Sequence, residues 1–144
     1  MEHTPEEILA FMNTQPRMVL STISSDGTIR SAIVGFGHTE KFELVFGTHL
    51  DTRKAQNILK NENVSVVIGF DHNGTIQYEG KARLLKGDEI NQYTEYHFQK
   101  HQKSRQYKDE PNEVYFVIEP TWLRFTEVSY NPWKTSELFF DKAS

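Results

Sequence analysis

The chain has 144 residues, enough for one domain that buries about two thirds of the surface its unfolded form exposes. Charged residues make up 25% and the net charge is −4, a balance that argues against disorder and against a general nucleic-acid binder. The absence of cysteine excludes disulfides, thiolate zinc sites and a cysteine nucleophile, and no apolar run could span a bilayer, so a cytoplasmic protein with no membrane partner is expected.

In chain order, Thr4-Pro5-Glu6-Glu7 reads as a helix start, with a Thr cap, Pro at the first position and Glu7 completing a capping box. That helix should stop before Pro16. Residues 17–25 form a strand, Asp26-Gly27 a tight turn, and residues 28–37 the hairpin partner. Gly35 and Gly37 weaken this second strand and mark either a bulge or a close approach of backbone to a ligand. A strand at 42–48 sets Phe42, Leu44 and Phe46 on one face against Glu43 and Val45 on the other. It runs into a helix at 52–60 with Ala55, Ile58 and Leu59 as its apolar stripe. Residues 63–70 are nearly continuously apolar and read as a central strand, Asp71-His72-Asn73-Gly74 as a turn, and 75–86 as a long alternating strand. A polar helix follows to about residue 103, then a charged loop at 104–112, then a strand from Val114 that Pro120 bends and that continues to Val128. The count is six strands, mostly joined by hairpins, with short flanking helices. It points to a mainly β, α+β fold: a single-domain antiparallel barrel spanning residues 1–144.

The tail from 129 to 144 is unusually aromatic, with Tyr130, Trp133, Phe139 and Phe140 among Pro132 and Leu138. Packing on its own barrel or on a second subunit would cover it, and a homodimer is the favoured expectation. His97 and His101 lie four apart, a spacing that suits one metal ion. No third ligand accompanies them, so they are read as surface histidines and no metal site is expected. The Lys100, Lys103, Arg105, Lys108 group is a solvated face rather than a nucleic-acid site. There is no glycine-rich phosphate loop, nucleophile elbow or triad, and no side chain presents itself as catalytic.

One constellation stands apart. Arg53 and Lys54 occupy the first turn of the 52–60 helix, where the helix dipole disfavours cations and acidic residues are usual. Beside the Thr52 hydroxyl and exposed amides, two cations make chemical sense if an anion such as a phosphate sits among them. The plainer alternative is a pair of solvated charges beside an ordinary cap.

Taken together, the hairpin, the strand ending at Thr48, Thr52-Arg53-Lys54-Ala55, Asn63-Val64-Ser65-Val66-Val67 and Tyr78-Glu79-Gly80-Lys81-Ala82-Arg83 resemble the FMN-binding split β-barrels. These are the pyridoxamine 5′-phosphate oxidase-like proteins, with their general stress protein branch. The likeness runs from about residue 5 to 128. It implies a six-stranded Greek-key split barrel that dimerises, with FMN in a groove at the dimer interface. It further implies that Thr52, Arg53 and Lys54 hold the FMN phosphate and that Thr48 contacts the ribityl chain or phosphate. Backbone around Ala32, Ile33 and Val34 would meet the flavin ring, with Gly35 permitting close approach. Thr75 or Gln77 would approach the ring from the other side, and Trp133 would close over the partner's flavin. The true oxidase carries basic residues on its second strand where this sequence has Ala32 and Gly37, and a C-terminal Arg and His that are missing here. The resemblance therefore implies a flavin-dependent oxidoreductase of unassigned substrate rather than a pyridoxamine phosphate oxidase. The alternative is a non-catalytic module binding flavin, deazaflavin or haem.

Overall fold

α1 (Pro5–Asn13) begins as the capping residues dictate: the Thr4 side chain accepts from the Glu7 N–H and the Glu7 carboxylate accepts from the Thr4 N–H. The computed structural model describes residues 2–70 and 73–140; Asp71 and His72 of the expected turn, and tail residues 141–144, lie outside it. Ile8 and Met12 of α1 are fully buried and reach into the main core.

The strands are β1 (Arg17–Ile23), β2 (Ile29–Gly35), β3 (Gly37–His38), β4 (Leu44–His49), β5 (Asn63–Ile68), β6 (Gly74–Leu84), β7 (Glu113–Glu127) and β8 (Lys134–Phe139). The helices α2 (Arg53–Lys60) and α3 (Asp88–Lys100) interrupt them, and a 3₁₀ segment covers Gln102–Tyr107. Every pairing is antiparallel, and the main order is β2-β1-β5-β6-β7-β4-β3. The two ends of that order, β2 and β3, are separated in the chain by Phe36 alone. They are two halves of one bent strand, so the path closes on itself into the expected six-stranded barrel.

β7 makes the split. It pairs with β6 along one edge, while its other edge serves β4 through Glu113–Ile118 and β8 through Trp122–Glu127. Pro120, which has no N–H to give, sits opposite Gly80, where the β6–β7 register shifts. β8 was not anticipated as a strand. Its residues come from the aromatic tail, and Leu138 and Phe140 pack against the core while Trp133 (65% exposed) and Phe139 (77% exposed) remain on the surface.

The barrel is filled by Met18, Leu20, Phe46, Ile68, Ile76, Tyr78, Phe116 and Leu123, all buried. The alternation of 75–86 holds, with Ile76, Tyr78, Gly80 and Ala82 turned inward. The Tyr78 hydroxyl, fully enclosed, donates toward the carbonyls of Phe42 (2.8 Å) and Ile118 (3.2 Å), which meets the requirement that a buried hydroxyl find a partner. Phe42 is not in the strand as expected. It sits in a turn at φ +64°, a left-handed conformation held by burial of its ring and by that Tyr78 bond.

A second, smaller core lies outside the barrel wall, where Val45, Leu85, Phe98, Tyr115 and Val117 pack with Ile90 and Tyr93. α3 covers this face, so Val45 is buried like its neighbours and the strand 44–46 does not alternate. On α2 the buried residues are Ala55, Asn57 and Ile58. Leu59, expected in the apolar stripe, is 49% exposed, and Asn57 takes its place by donating from Nδ2 to Thr22 Oγ1 at 3.0 Å.

The N-terminus is held by a polar clamp that the sequence does not advertise. His3, 2% exposed, donates its backbone N–H to Ser136 Oγ at 2.8 Å, and its ring nitrogens lie 2.8 Å from Ser136 Oγ and 2.8 Å from Glu127 Oε1. Ser136 Oγ already accepts two backbone N–H groups, from Glu2 and His3, so its own proton goes to His3 Nδ1 and the Nε2–H points to Glu127.

Gly37 is where α3 and the barrel meet most closely: a Cβ there would lie 2.4 Å from the backbone of Tyr96 and His97. Gly37→Ala is therefore expected to lower stability by roughly 1–3 kcal/mol, read as a reduced urea midpoint at unchanged slope. An unchanged midpoint would show that the helix seat is soft.

Candidate functional site

β4 runs out at Thr48 and His49, and the chain turns into α2 within four residues. Thr52 caps the helix. It accepts from the Ala55 N–H at 3.4 Å, and its hydroxyl donates to the His49 carbonyl at 2.9 Å. That donation uses the only Thr52 hydroxyl proton. In the Thr48–Thr52 contact, at 3.1 Å between hydroxyl oxygens, Thr48 must be the donor. The Gln56 N–H bonds the Thr52 carbonyl, leaving the backbone N–H groups of Arg53 and Lys54 as the open donors of the first turn.

No acidic residue lies in that turn. Arg53 is exposed and Lys54 half-buried, and neither side chain makes an ion pair or hydrogen bond among the described residues. The first turn thus carries two hydroxyls 3.1 Å apart, two free amides and two cations without a partner among the described residues. The open amides and the two cations fit a phosphate and are positively polarised, while both hydroxyl protons are already spent within the turn.

The other candidate residues are distributed differently. On β2, Val34 points into the core, Ala32 is partly buried, and Ile33 stands on the outer face at 61% exposure. The space above Gly35 is held by His101, whose Cε1 would lie 3.0 Å from a Cβ at that position. The Thr75 hydroxyl is engaged with the Gly69 carbonyl at 2.7 Å, and Gln77 is exposed on the outer face of β6. The registers put Ile33, Val19, Val67 and Gln77 in one row across β2, β1, β5 and β6. Ile33 and Gln77 are therefore three strand spacings apart, roughly 14 Å measured along the sheet. Trp133 lies at the start of β8, on the surface.

A groove of about 420 Å³ adjoins Thr48 on the outer side of β4, under α3 and the 3₁₀ segment. It is floored by Gly35 and Gly47 and walled by His97 and His101. The two imidazoles are stacked, centroids 5.0 Å apart. His97 is not on the surface as expected. It is 6% exposed, and its Nδ1 is buried without a partner. Burial first, then the neighbouring His101 and Lys100, holds its pKa down to about 4. The Tyr115 hydroxyl is also buried and unpartnered, and burial followed by Glu113, Asp109 and Glu110 pushes its pKa up to about 12. Burial raises the Glu113 carboxyl, with His49 at 3.9 Å pulling the other way. The sequence held one sign of this groove, the i, i+4 histidine pair. It could not reveal the rest, because the pair meets Gly35 and Tyr115 only once α3 settles on Gly37.

His97 has a clear pH consequence. Its folded pKa of about 4 is below the ordinary 6.5, so the unfolded chain binds more protons between those values. Stability is fully present above pH 6.5 and falls as pH drops toward 4, and His38, also held down to about 4 by burial, acts in the same direction. Urea unfolding at pH 7 and pH 5 is expected to show a lower midpoint at pH 5, with part of the difference removed in His97→Gln. Equal midpoints would mean that the imidazoles titrate normally in the fold.

No curated protein sequence matches this chain. Similar solved structures include a haem-binding protein from Mycobacterium smegmatis (TM-score 0.77, 15% identity), covering 93% of this chain and 58% of that one. General stress protein 26 from Bacillus anthracis gives a TM-score of 0.67 at 22% identity, covering 94% of this chain and 98% of that one. A pyridoxamine 5′-phosphate oxidase-related, FMN-binding protein from Nostoc punctiforme gives 0.64 at 14% identity, covering 88% and 87%. At these identities the structural likeness carries the fold alone. The sequence itself carries more: the family model described as pyridoxamine 5′-phosphate oxidase matches residues 4–127, and the chain belongs to that family.

Proposed function

We propose that the chain binds FMN as a homodimer and is a flavin-dependent oxidoreductase whose substrate is not phosphorylated pyridoxamine. The observation that carries this reading is the open cradle at α2, where Arg53, Lys54 and two free amides present donors and charge that have no partner among the described residues. The FMN phosphate would sit there, with Thr48 beside it. Bound FMN supplies hydride or single-electron exchange, while the protein's part is to orient the ring and exclude water. The β2 backbone at Ala32–Val34 would lie along the ring. Gln77 and Thr75 would reach that ring from a second copy, since one chain holds them roughly 14 Å from β2 along the sheet. This separation is the reason for proposing a dimer, with Trp133 near the seam.

At the two positions where the resemblance would place basic side chains, the chain has Ala32 and Gly37. Ala32 is small, and Gly37 lies under α3, where no side chain fits. The α2 cradle would therefore hold the phosphate nearly alone. A reading as a haem module draws on the Mycobacterium smegmatis neighbour, which is described as binding haem.

Titration of the purified chain with FMN, followed by absorbance and gel filtration, tests the proposal. Saturable binding to a dimer is expected. Arg53→Ala with Lys54→Ala should weaken it on the order of tenfold to 100-fold, since two charge-assisted contacts are lost. A chain that binds no added FMN, or one that takes up haem but not flavin, overturns it.

A further inference from the structure

We propose that the groove under α3 is a binding site for a small planar molecule with a carboxylate at one end and an amine or similar hydrogen-bond donor at the other, of the amino-aromatic carboxylate class. The two ends of the groove differ in charge, and the pairing of the strands fixes which is which. At one end Arg17 lies opposite Gly35 in the β1–β2 ladder, with His101 covering Gly35. Arg17 has no ion-pair partner among the described residues. At the other end Gly47 pairs with Tyr115 and His49 with Glu113, and Glu113 Oε2 comes within 3.1 Å of a Cβ at Gly47. Asp109 and Glu110 add negative charge near Tyr115. An anionic group is favoured at the Arg17 end alone, and a donor at the Glu113 end.

His97 stands between the ends. Its ring stacks on His101 at 5.0 Å and meets the Tyr115 ring edge-on at 6.4 Å. His101 is anchored, its Nε2 2.8 Å from the Pro16 carbonyl, so that nitrogen carries the proton and the ring cannot turn freely. His97 has no such anchor: its ring makes no hydrogen bond among the described residues, although the residue is buried. The Tyr115 hydroxyl is in the same condition. The His97 ring lines the groove with a nitrogen that has no partner among the described residues, a cost that a partner in the groove would relieve. The stacked His97 and His101 rings that wall the groove suit a flat molecule. A single uncompensated cation suits one negative charge and is a weak match for a dianionic phosphate, which separates this groove from the cradle at α2.

The groove shares Thr48 with the cradle, so a molecule in it would lie beside the flavin. Calling that molecule the substrate rests on the flavin reading. The site itself is tested without flavin. The flavin-free chain is titrated with 4-aminobenzoate while the imidazole resonances of His97 and His101 are followed by NMR, with benzoate and aniline in parallel. Saturable shifts of both rings are expected with 4-aminobenzoate, at least tenfold weaker binding with either single-ended probe, and a similar weakening in Arg17→Ala. Arg53→Ala should leave the titration unchanged. No shift at millimolar 4-aminobenzoate, equal affinity for all three probes, or indifference to Arg17→Ala would overturn the proposal. Failure of FMN to bind would leave these outcomes readable.

Discussion

The backbone-to-backbone contact between α3 and β3 at Gly37 is the constraint on which the functional half of the molecule depends. It brings a helix to within a distance that no side chain at that position could survive. Three things follow from that proximity. The outer face of β4 and β7 becomes a second core rather than a wet surface. His97 and His101 are delivered to the ends of β2 and β4. No side chain can stand at position 37, directly under the helix.

The two polar regions obey opposite electrostatic rules. At α2 Arg53 is exposed, Lys54 is half-buried and two backbone amides stand open to solvent, while the hydroxyl network is tied down by the His49 carbonyl. Under α3 the central pair, His97 and Tyr115, is enclosed and neutral. Burial keeps His97 unprotonated and Tyr115 protonated, so both stay uncharged at neutral pH. Lys100 illustrates the balance between these regimes. Burial pulls its pKa down to about 7, yet its ammonium donates to the Met12 and Gln15 carbonyls at the end of α1 and lies 3.8 Å over the Phe36 ring. Carbonyls at a helix C-terminus and a π face both favour the cation.

Much of the barrel was legible because its strands alternate or punctuate themselves: Asp26-Gly27 gives the first hairpin, Ile76 to Ala82 the inward row of β6, and Thr4 to Glu7 the start of α1. The cradle was legible for a different reason, since two cations at a helix start violate a local rule that nothing else in the sequence explains. What escaped was set by contacts between distant segments. The burial of Val45 depends on a helix some fifty residues later in the chain, as does the burial of His97 on a strand that precedes it. β8 escaped because an aromatic cluster says that a segment must be covered but not by what. The sequence signal for Leu59 failed because Asn57 found a polar partner in Thr22 across the barrel end.

Closing the sheet through Phe36 also decides where its backbone remains unpaired. β8 has a ladder partner on one side only, and a strand of that kind is a template on which other chains can grow. The residues before α1 lie along that side. The Thr135 N–H, which points away from β7, is taken by the Glu2 carboxylate at 2.8 Å, and the Glu2 and His3 amides are taken up by Ser136. Lys134 and Glu137 place charge on the same strand. The His3 clamp thus works as an edge guard: it consumes hydrogen-bonding capacity along β8 that would otherwise recruit a foreign strand.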